Sequence, residues 1–178
     1  HLAHPELPFV KPGDLEVIAT PTDFLGVNYY SRGVVKSGPA GAPVAVQVAP
    51  EDELTAMGWE VYPQGMHEVL MRVTNEYAPA RIYVTENGAA FADAPGPSGP
   101  LADPRRVEYL RSHIAAARRA LADGVPLHGY FAWSLMDNFE WSQGLSKRFG
   151  LYHVDYATQR RTSRESAYWY RDMISEGA

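Results

Sequence analysis

The sequence of 178 residues contains no cysteine, no long basic run and no long apolar run. The lack of cysteine excludes disulfides and thiolate metal sites, and is typical of a cytoplasmic enzyme. Lysine and arginine form nothing longer than a pair, and the net charge is −5, which argues against nucleic acids and anionic membranes as partners. No stretch approaches the roughly 20 apolar residues of a membrane-spanning helix.

An initiator methionine is also lacking, because the chain begins His1-Leu2-Ala3-His4. We interpret the chain as a fragment of a longer protein. A cytoplasmic location is the expectation, although a targeting segment would lie upstream. The composition, with 46% hydrophobic and 21% charged residues, is that of an ordinary globular domain.

Three apolar runs that predict buried strands alternate with segments that have the apolar periodicity of helices. Strands are predicted at 24–30, 81–86 and 127–133, and helices at 63–77, 104–123 and 163–177. The alternation predicts an α/β fold with three parallel strand–helix units and strands covered on both faces. Three strands leave both edges of a sheet open, so the chain resembles part of a larger barrel or sheet.

Turn-forming and helix-capping residues add detail to these predictions. Residues 31–59 carry several glycines and prolines and are predicted to be one long irregular stretch. Asp103 and Ser163 are predicted to cap the second and third helices. The segment 150–156 predicts a short strand or hairpin arm. The arginine pair at 105–106 is predicted to be solvated.

Polar and aromatic side chains follow all three predicted strands. Glu86 ends an apolar run just before Asn-Gly, Asn28 and Tyr30 end the first strand, and Trp133 and the segment 137–141 follow the third. In parallel α/β barrels, functional residues gather at the carboxyl ends of strands. Carboxylates and amides suit sugar hydroxyls, and aromatic rings suit the C–H faces of sugars. The pattern therefore predicts a carbohydrate site.

Three segments also resemble a known family: DFLGVNYYS at 23–31, YVTENG at 83–88 and WSLMDNFEWSQGLSKRFGLYHVDY at 133–156. Together they resemble the C-terminal part of a glycoside hydrolase family 1 β-glucosidase, over nearly the whole chain. The resemblance implies strands six to eight of a (β/α)8 TIM barrel, with residues 1–178 forming an incomplete part of one domain. It also implies hydrolysis of terminal non-reducing β-D-glucosyl residues with retention of configuration.

The resemblance implies half of a catalytic mechanism. Glu86 corresponds to the nucleophile, and the hydroxyl of Tyr30 to the group that donates a hydrogen bond to it. The family's acid/base glutamate lies in an Asn-Glu-Pro motif that is absent here, because Asn75-Glu76 is followed by Tyr77. The isolated chain is therefore expected to be weakly active or inactive.

Other residues are implied to bind the substrate. Trp133 stacks beneath the sugar, Glu140 and Trp141 hold its 4- and 6-hydroxyls, Phe149 lines the same pocket, and Trp59 flanks the aglycone site. Glu140 favours a non-phosphorylated sugar, because its charge would repel a phosphate. The expected substrate is a small β-glucoside or cello-oligosaccharide.

Several alternatives remain open at this stage. Asn28 either contacts the sugar or only satisfies backbone groups, and Asp137 with Asn138 either binds ligand or braces a loop. The chain is either part of a catalyst completed by the missing N-terminal half, or a fragment that retains only sugar binding or self-association through open sheet edges. No cofactor or metal is expected, since the four histidines considered lack ligand spacing: His67, His113, His128 and His153.

Overall fold

The computed structural model describes residues 9–46, 54–93 and 100–177. Its strands are β1 (Leu25–Asn28), β2 (Val35–Ser37), β3 (Pro43–Ala45), β4 (Ile82–Asn87), β5 (Leu127–Ala132), β6 (Tyr152–Val154) and β7 (Arg161–Ser163). Its α-helices are α1 (Asp14–Ile18), α2 (Gln64–Tyr77), α3 (Pro104–Ala122) and α4 (Glu165–Ser175). In the part of the chain that is described, no helix is long and apolar enough to cross a membrane.

A parallel sheet in the order β1-β4-β5 forms the centre of the fold. A helix follows each of its strands, namely α2, α3 and α4, so the predicted alternation and the parallel α/β class are confirmed. Side chains alternate along β4, and Ile82 and Val84 point to the helical side, where both are fully buried. They pack with Met66 and Leu70 of α2, which are also fully buried, as the spacing along that helix predicts.

The opposite face of the sheet is open to solvent in the described residues. Phe24 and Phe131 are 53% and 56% exposed. Tyr83 lies between them, with ring centroids 5.3 Å from Phe24 and 6.5 Å from Phe131. The prediction of strands covered on both faces is therefore wrong for the part of the chain that is described, because its helices pack on one side of the sheet.

The stretch 31–59, predicted to be irregular, contains a hairpin. Strands β2 and β3 pair antiparallel, with Val35 opposite Ala45. The Gly- and Pro-rich residues form the turn between them, where Gly41 has a φ of 78°. Glycine and proline are also typical of the tight turn of a hairpin, so the prediction of an irregular stretch is wrong for residues 35–45. Residues 47–53 of this stretch lie outside the described ranges. The arm predicted at 150–156 is confirmed, as β6 pairs antiparallel with β7.

The helix starts differ from the predicted caps. Asp103 is the N-cap residue of α3, but its carboxylate makes no capping bond to that helix. Instead it accepts hydrogen bonds from the N–H and hydroxyl of Ser166, at 2.9 and 2.6 Å. Ser163 belongs to β7 and does not cap α4, so that prediction is wrong. A first-turn N–H of α4 is thus satisfied by a residue distant in sequence.

His113, in the middle of α3, is buried as a neutral residue. Its Nδ1 lies 2.8 Å from the carbonyl oxygen of Tyr109 and donates to it, while its Nε2 has no partner within the described residues. Burial lowers the pKa of His113 to about 4, and the hydrogen bond to Tyr109 opposes this only in part.

Because the unfolded His113 titrates near its ordinary pKa, the unfolded chain binds more protons than the folded chain between about pH 6.5 and pH 4. We expect the wild type to lose on the order of 3 kcal/mol of stability as the pH falls across this window because of His113. The His113→Phe variant should not show this loss, because phenylalanine does not titrate. Urea denaturation at pH 7 and pH 4.5 measures the difference. The exposed His128, changed to Gln, is the control. Equal losses in wild type and His113→Phe would refute the assignment.

Candidate active site

The carboxyl ends of the three parallel strands meet at one edge of the sheet. Asn28 of β1 pairs with Glu86 of β4, and Asn87 pairs with Ala132 of β5. The hydroxyl of Tyr30, two residues after Asn28, donates a hydrogen bond of 2.7 Å to Oε2 of Glu86. The carboxylate therefore lies at the edge where barrel enzymes hold their functional groups.

Tyr30 is held as a neutral donor to this carboxylate. Burial raises the pKa of its hydroxyl well above the ordinary value, and the hydrogen bond to Glu86 raises it further. The negative charges of Glu86 and Glu140 act in the same direction. At neutral pH the phenol keeps its proton and orients Oε2 of Glu86.

An aromatic cluster surrounds the ring of Tyr30. Its centroid lies 5.4 Å from that of Trp59 and 6.0 Å from that of Phe149, and these two rings lie 6.3 Å apart. Phe149 is 2% exposed, so it forms the buried part of the cluster. Trp59 is partly exposed and borders an open cavity of about 650 Å³ that Asn28 and Tyr30 also line.

The predicted site residues that follow β5 differ in how far they are exposed to solvent. Trp133 is partly exposed, and its backbone N–H donates to the carbonyl of Asn87 at 2.8 Å. Glu140 is partly exposed and its charge acts on the Tyr30 hydroxyl. Trp141 is 79% exposed and extends into solvent, in a short 3₁₀ turn with a φ of 40°.

Asn28 makes a hydrogen bond across the strands, because its Oδ1 accepts from the hydroxyl of Thr85 at 2.6 Å. Its side chain is nevertheless on the exposed face of the sheet. The partner is a side-chain hydroxyl and not a backbone group, so contact of Asn28 with a ligand stays a prediction.

The pair Asn87-Gly88 links strands, where the sequence had indicated only a turn. Asn87 is fully buried, its Nδ2 donates to the carbonyl of Tyr29 at 2.7 Å, and its Oδ1 accepts from the hydroxyl of Tyr130. Gly88 allows the backbone after β5 to approach, since a Cβ there would lie 1.7 Å from the carbonyl oxygen of Trp133. The sequence contains one indication of this role, namely that the polar side chain of Asn87 follows directly on an apolar strand.

Comparisons with known proteins identify the family of this chain. The family model of glycosyl hydrolase family 1 matches residues 3–178. The chain belongs to this family. It is 47% identical to beta-glucosidase A of Thermotoga maritima over 94% of its own length and 38% of the relative's. It is 38% identical to a 6-phospho-beta-galactosidase of Clostridium acetobutylicum, over 94% of this chain and 40% of that protein.

Solved structures show the same architecture. The beta-glucosidase of Thermotoga maritima in complex with glucoimidazole superposes with a TM-score of 0.87 and 46% identity, covering 91% of this chain and 36% of that one. This family 1 chain therefore spans well under half the length of these relatives. Its fold is a partial TIM barrel, and the described residues form an open parallel sheet without closing a barrel.

A buried ion-pair network braces the loops behind the site of this family 1 chain. Arg164 is fully buried and contacts Asp93 and both carboxylate oxygens of Asp137. Asp137 also accepts from the backbone N–H of Gly150 at 2.9 Å and from Arg148 at 2.9 Å. Asp137 is thus a loop-bracing residue, which was one of the two roles considered for it.

Arg106 belongs to the same network. It is 1% exposed, so the prediction that the arginines at 105–106 are solvated is wrong for Arg106. Its guanidinium contacts Asp103 at 2.6 Å and Asp93 at 3.2 Å, and donates to the carbonyl of Arg148 at 2.9 Å. Asp93 thus joins Arg106 and Arg164. The partners are distant in sequence, so no local pattern indicated the burial.

Across the residues that the structure describes, no group of three or more histidine, aspartate or glutamate side chains is arranged to hold a metal ion. The four histidines named in the sequence analysis have the following surroundings. His113 and His153 are buried, His67 pairs with Asp123 at 2.7 Å, and His128 lies against Tyr83.

Proposed function

We propose that residues 1–178 are the C-terminal part, strands six to eight, of a single (β/α)8 domain that hydrolyses terminal non-reducing β-D-glucosyl residues with retention of configuration. The observation that carries the proposal is the hydrogen bond from Tyr30 to Glu86 at the carboxyl edge of the sheet, in a chain of glycosyl hydrolase family 1.

In this mechanism Glu86 attacks the anomeric carbon and forms a glycosyl-enzyme, which water then hydrolyses. Tyr30 donates to Oε2 and holds the carboxylate in one orientation. A second carboxyl group about 5–5.5 Å away protonates the leaving oxygen and later activates the water. This chain has no Asn-Glu-Pro motif, so we assign the acid/base glutamate to the N-terminal half of the barrel, whose strands are absent from these 178 residues.

The proposed substrate is a small β-glucoside or cello-oligosaccharide. Trp133 stacks on the sugar, Glu140 and Trp141 bind its hydroxyls, and Trp59 with Phe149 forms the wall that continues towards the aglycone. The relatives include both a beta-glucosidase and a 6-phospho-beta-galactosidase. The carboxylate of Glu140 favours the non-phosphorylated sugar, because two negative groups in contact repel each other.

The second candidate is a chain that binds sugar or associates with copies of itself but does not catalyse. Two observations favour association: Phe24 and Phe131 are exposed on the open sheet face, and β1 and β5 are the outer strands of the sheet. In the first candidate the N-terminal half of the barrel covers this face. Light scattering over a range of concentrations, combined with turnover of an aryl β-glucoside by the natural chain, separates the two, since only the second predicts growing assemblies without turnover.

Covalent trapping tests the proposed mechanism. The natural chain that contains these residues is incubated with an activated 2-fluoro-β-glucoside, and its intact mass and peptides are measured. The fluorine slows both steps, while the good leaving group removes the need for the acid. We expect one glycosyl label, on Glu86, because the nucleophile forms an ester with the sugar.

A label on another carboxylate, or none in a folded sample, would refute the assignment of Glu86. The same incubation with the 178-residue chain alone asks whether this part assembles a competent nucleophile. A label there means that the upstream half is needed for the acid only, and the absence of a label means that it is needed to build the site.

A further inference from the structure

Tyr109 lies on α3, outside the three sequence segments 23–31, 83–88 and 133–156 named above, yet its hydroxyl reaches the residues of the candidate active site. The side chain is 1% exposed. Its hydroxyl donates to the backbone carbonyl of Tyr30 at 3.0 Å and accepts from Nδ2 of Asn87 at 3.1 Å. One phenol thus joins the residue after the proposed nucleophile to the residue that orients the nucleophile.

These bonds matter because the regular pairing of β1 ends at Asn28. Beyond that point the backbone is held by individual hydrogen bonds: the N–H of Tyr29 donates to the carbonyl of Glu86 at 3.0 Å, and Asn87 donates to the carbonyl of Tyr29 at 2.7 Å. The contact from Tyr109 is the next one along the chain, and it fixes the peptide of Tyr30 itself.

The ring of Tyr109 is firmly seated. It stacks on His113 with centroids 3.9 Å apart and an interplanar angle of 22°, and it packs with Ala89 and Phe91. Close packing of the ring and the two hydrogen bonds of the hydroxyl restrict the side chain to one position. The hydroxyl therefore holds the ends of β1 and β4 in a fixed relative position.

We propose that Tyr109 is a positioning residue for catalysis, which fixes the backbone of Tyr30 so that the Tyr30 hydroxyl meets Oε2 of Glu86. The inference rests on the proposed function, since it assigns Tyr109 a role in forming the glycosyl-enzyme. A displacement of about 1 Å at reacting groups costs up to about 100-fold in rate. Loss of the Tyr109 hydroxyl should therefore slow attack by Glu86 while leaving sugar binding nearly unchanged.

The test compares Tyr109→Phe, Tyr30→Phe and the double variant in the natural chain, by the rate and concentration dependence of inactivation by the 2-fluoro-β-glucoside. We expect Tyr109→Phe to lower the limiting inactivation rate about 10- to 100-fold, with the half-saturating concentration changed less than about threefold. Tyr170→Phe is the matched control, because Tyr170 likewise donates to a strand carbonyl, that of Tyr130 at 3.1 Å.

The double variant distinguishes positioning from general stabilisation. If Tyr109 acts through the Tyr30 hydroxyl, removing both costs no more than about threefold beyond Tyr30→Phe alone, since coupled residues are not additive. Losses that multiply, or a Tyr109→Phe variant as fast as wild type, would overturn the inference. Should Tyr109→Phe not fold, p-fluorophenylalanine at position 109 fills the space of the hydroxyl without donating, and the same comparisons apply.

Failure of this inference is distinct from failure of the proposed function. If wild type carries the label on Glu86 and Tyr109→Phe reacts normally, only the positioning role is lost. If wild type carries no label on Glu86, the nucleophile assignment itself fails.

Discussion

Glu86→Gln is expected to lower kcat of the natural chain by about four to six orders of magnitude, because an amide cannot attack the anomeric carbon or leave it as a carboxylate does. The change is isosteric and keeps an oxygen that can accept the hydrogen bond from Tyr30. In the wild-type chain this bond is 2.7 Å long. Glu86 is partly exposed, so the free energy of unfolding should change by less than about 1 kcal/mol. Turnover of an aryl β-glucoside and urea denaturation measure the two effects.

Glu108→Gln is the control for this variant, because Glu108 lies on the surface of α3 and pairs with Arg111 at 2.7 Å. It should retain wild-type turnover. A Glu86→Gln variant with near wild-type activity would end the proposed mechanism. A variant that loses activity and stability together would instead make Glu86 a structural residue.

Arg164→Ala is expected to lower the free energy of unfolding by about 3–5 kcal/mol, the largest effect on stability that we predict. Arg164 is fully buried between Asp93 and Asp137, and it also donates to the carbonyl of Gly150 at 2.7 Å. Its removal leaves two buried carboxylates without their principal counter-charge. Urea denaturation of the natural chain at pH 7 measures the loss.

The control is Arg171→Ala, since Arg171 and its partner Asp172 are 63% and 57% exposed and such pairs contribute at most about 1 kcal/mol. Equal losses from the two substitutions would show that the buried network adds no more than a surface pair. A second readout is pH. Burial alone would raise the pKa of Asp137, but the hydrogen bonds and charge of Arg164 outweigh it and lower the pKa. The stabilisation is therefore present above the ordinary aspartate pKa and is lost as the pH falls through the depressed value.

Sequence patterns predicted much of the local structure because its causes are local. Apolar runs and helical spacing identified the parallel strands and the helices that follow them, with ends within a few residues. The position of Glu86 at the end of β4 followed from the same reasoning. The irregular interpretation of 31–59 failed where turn residues form a hairpin.

The sequence by itself determined the alternation of the three parallel strands with their helices, the parallel α/β class and the carboxyl edge at which Glu86 and Tyr30 lie. Only the tertiary structure decided which partners hold that edge: Tyr109 reaches Tyr30 across 79 residues of chain, and Arg164 reaches Asp93 across 71. The physical reason is that a charge or hydroxyl is buried only with a partner that folding brings close. The residues next to it in the sequence do not indicate which distant residue that partner is.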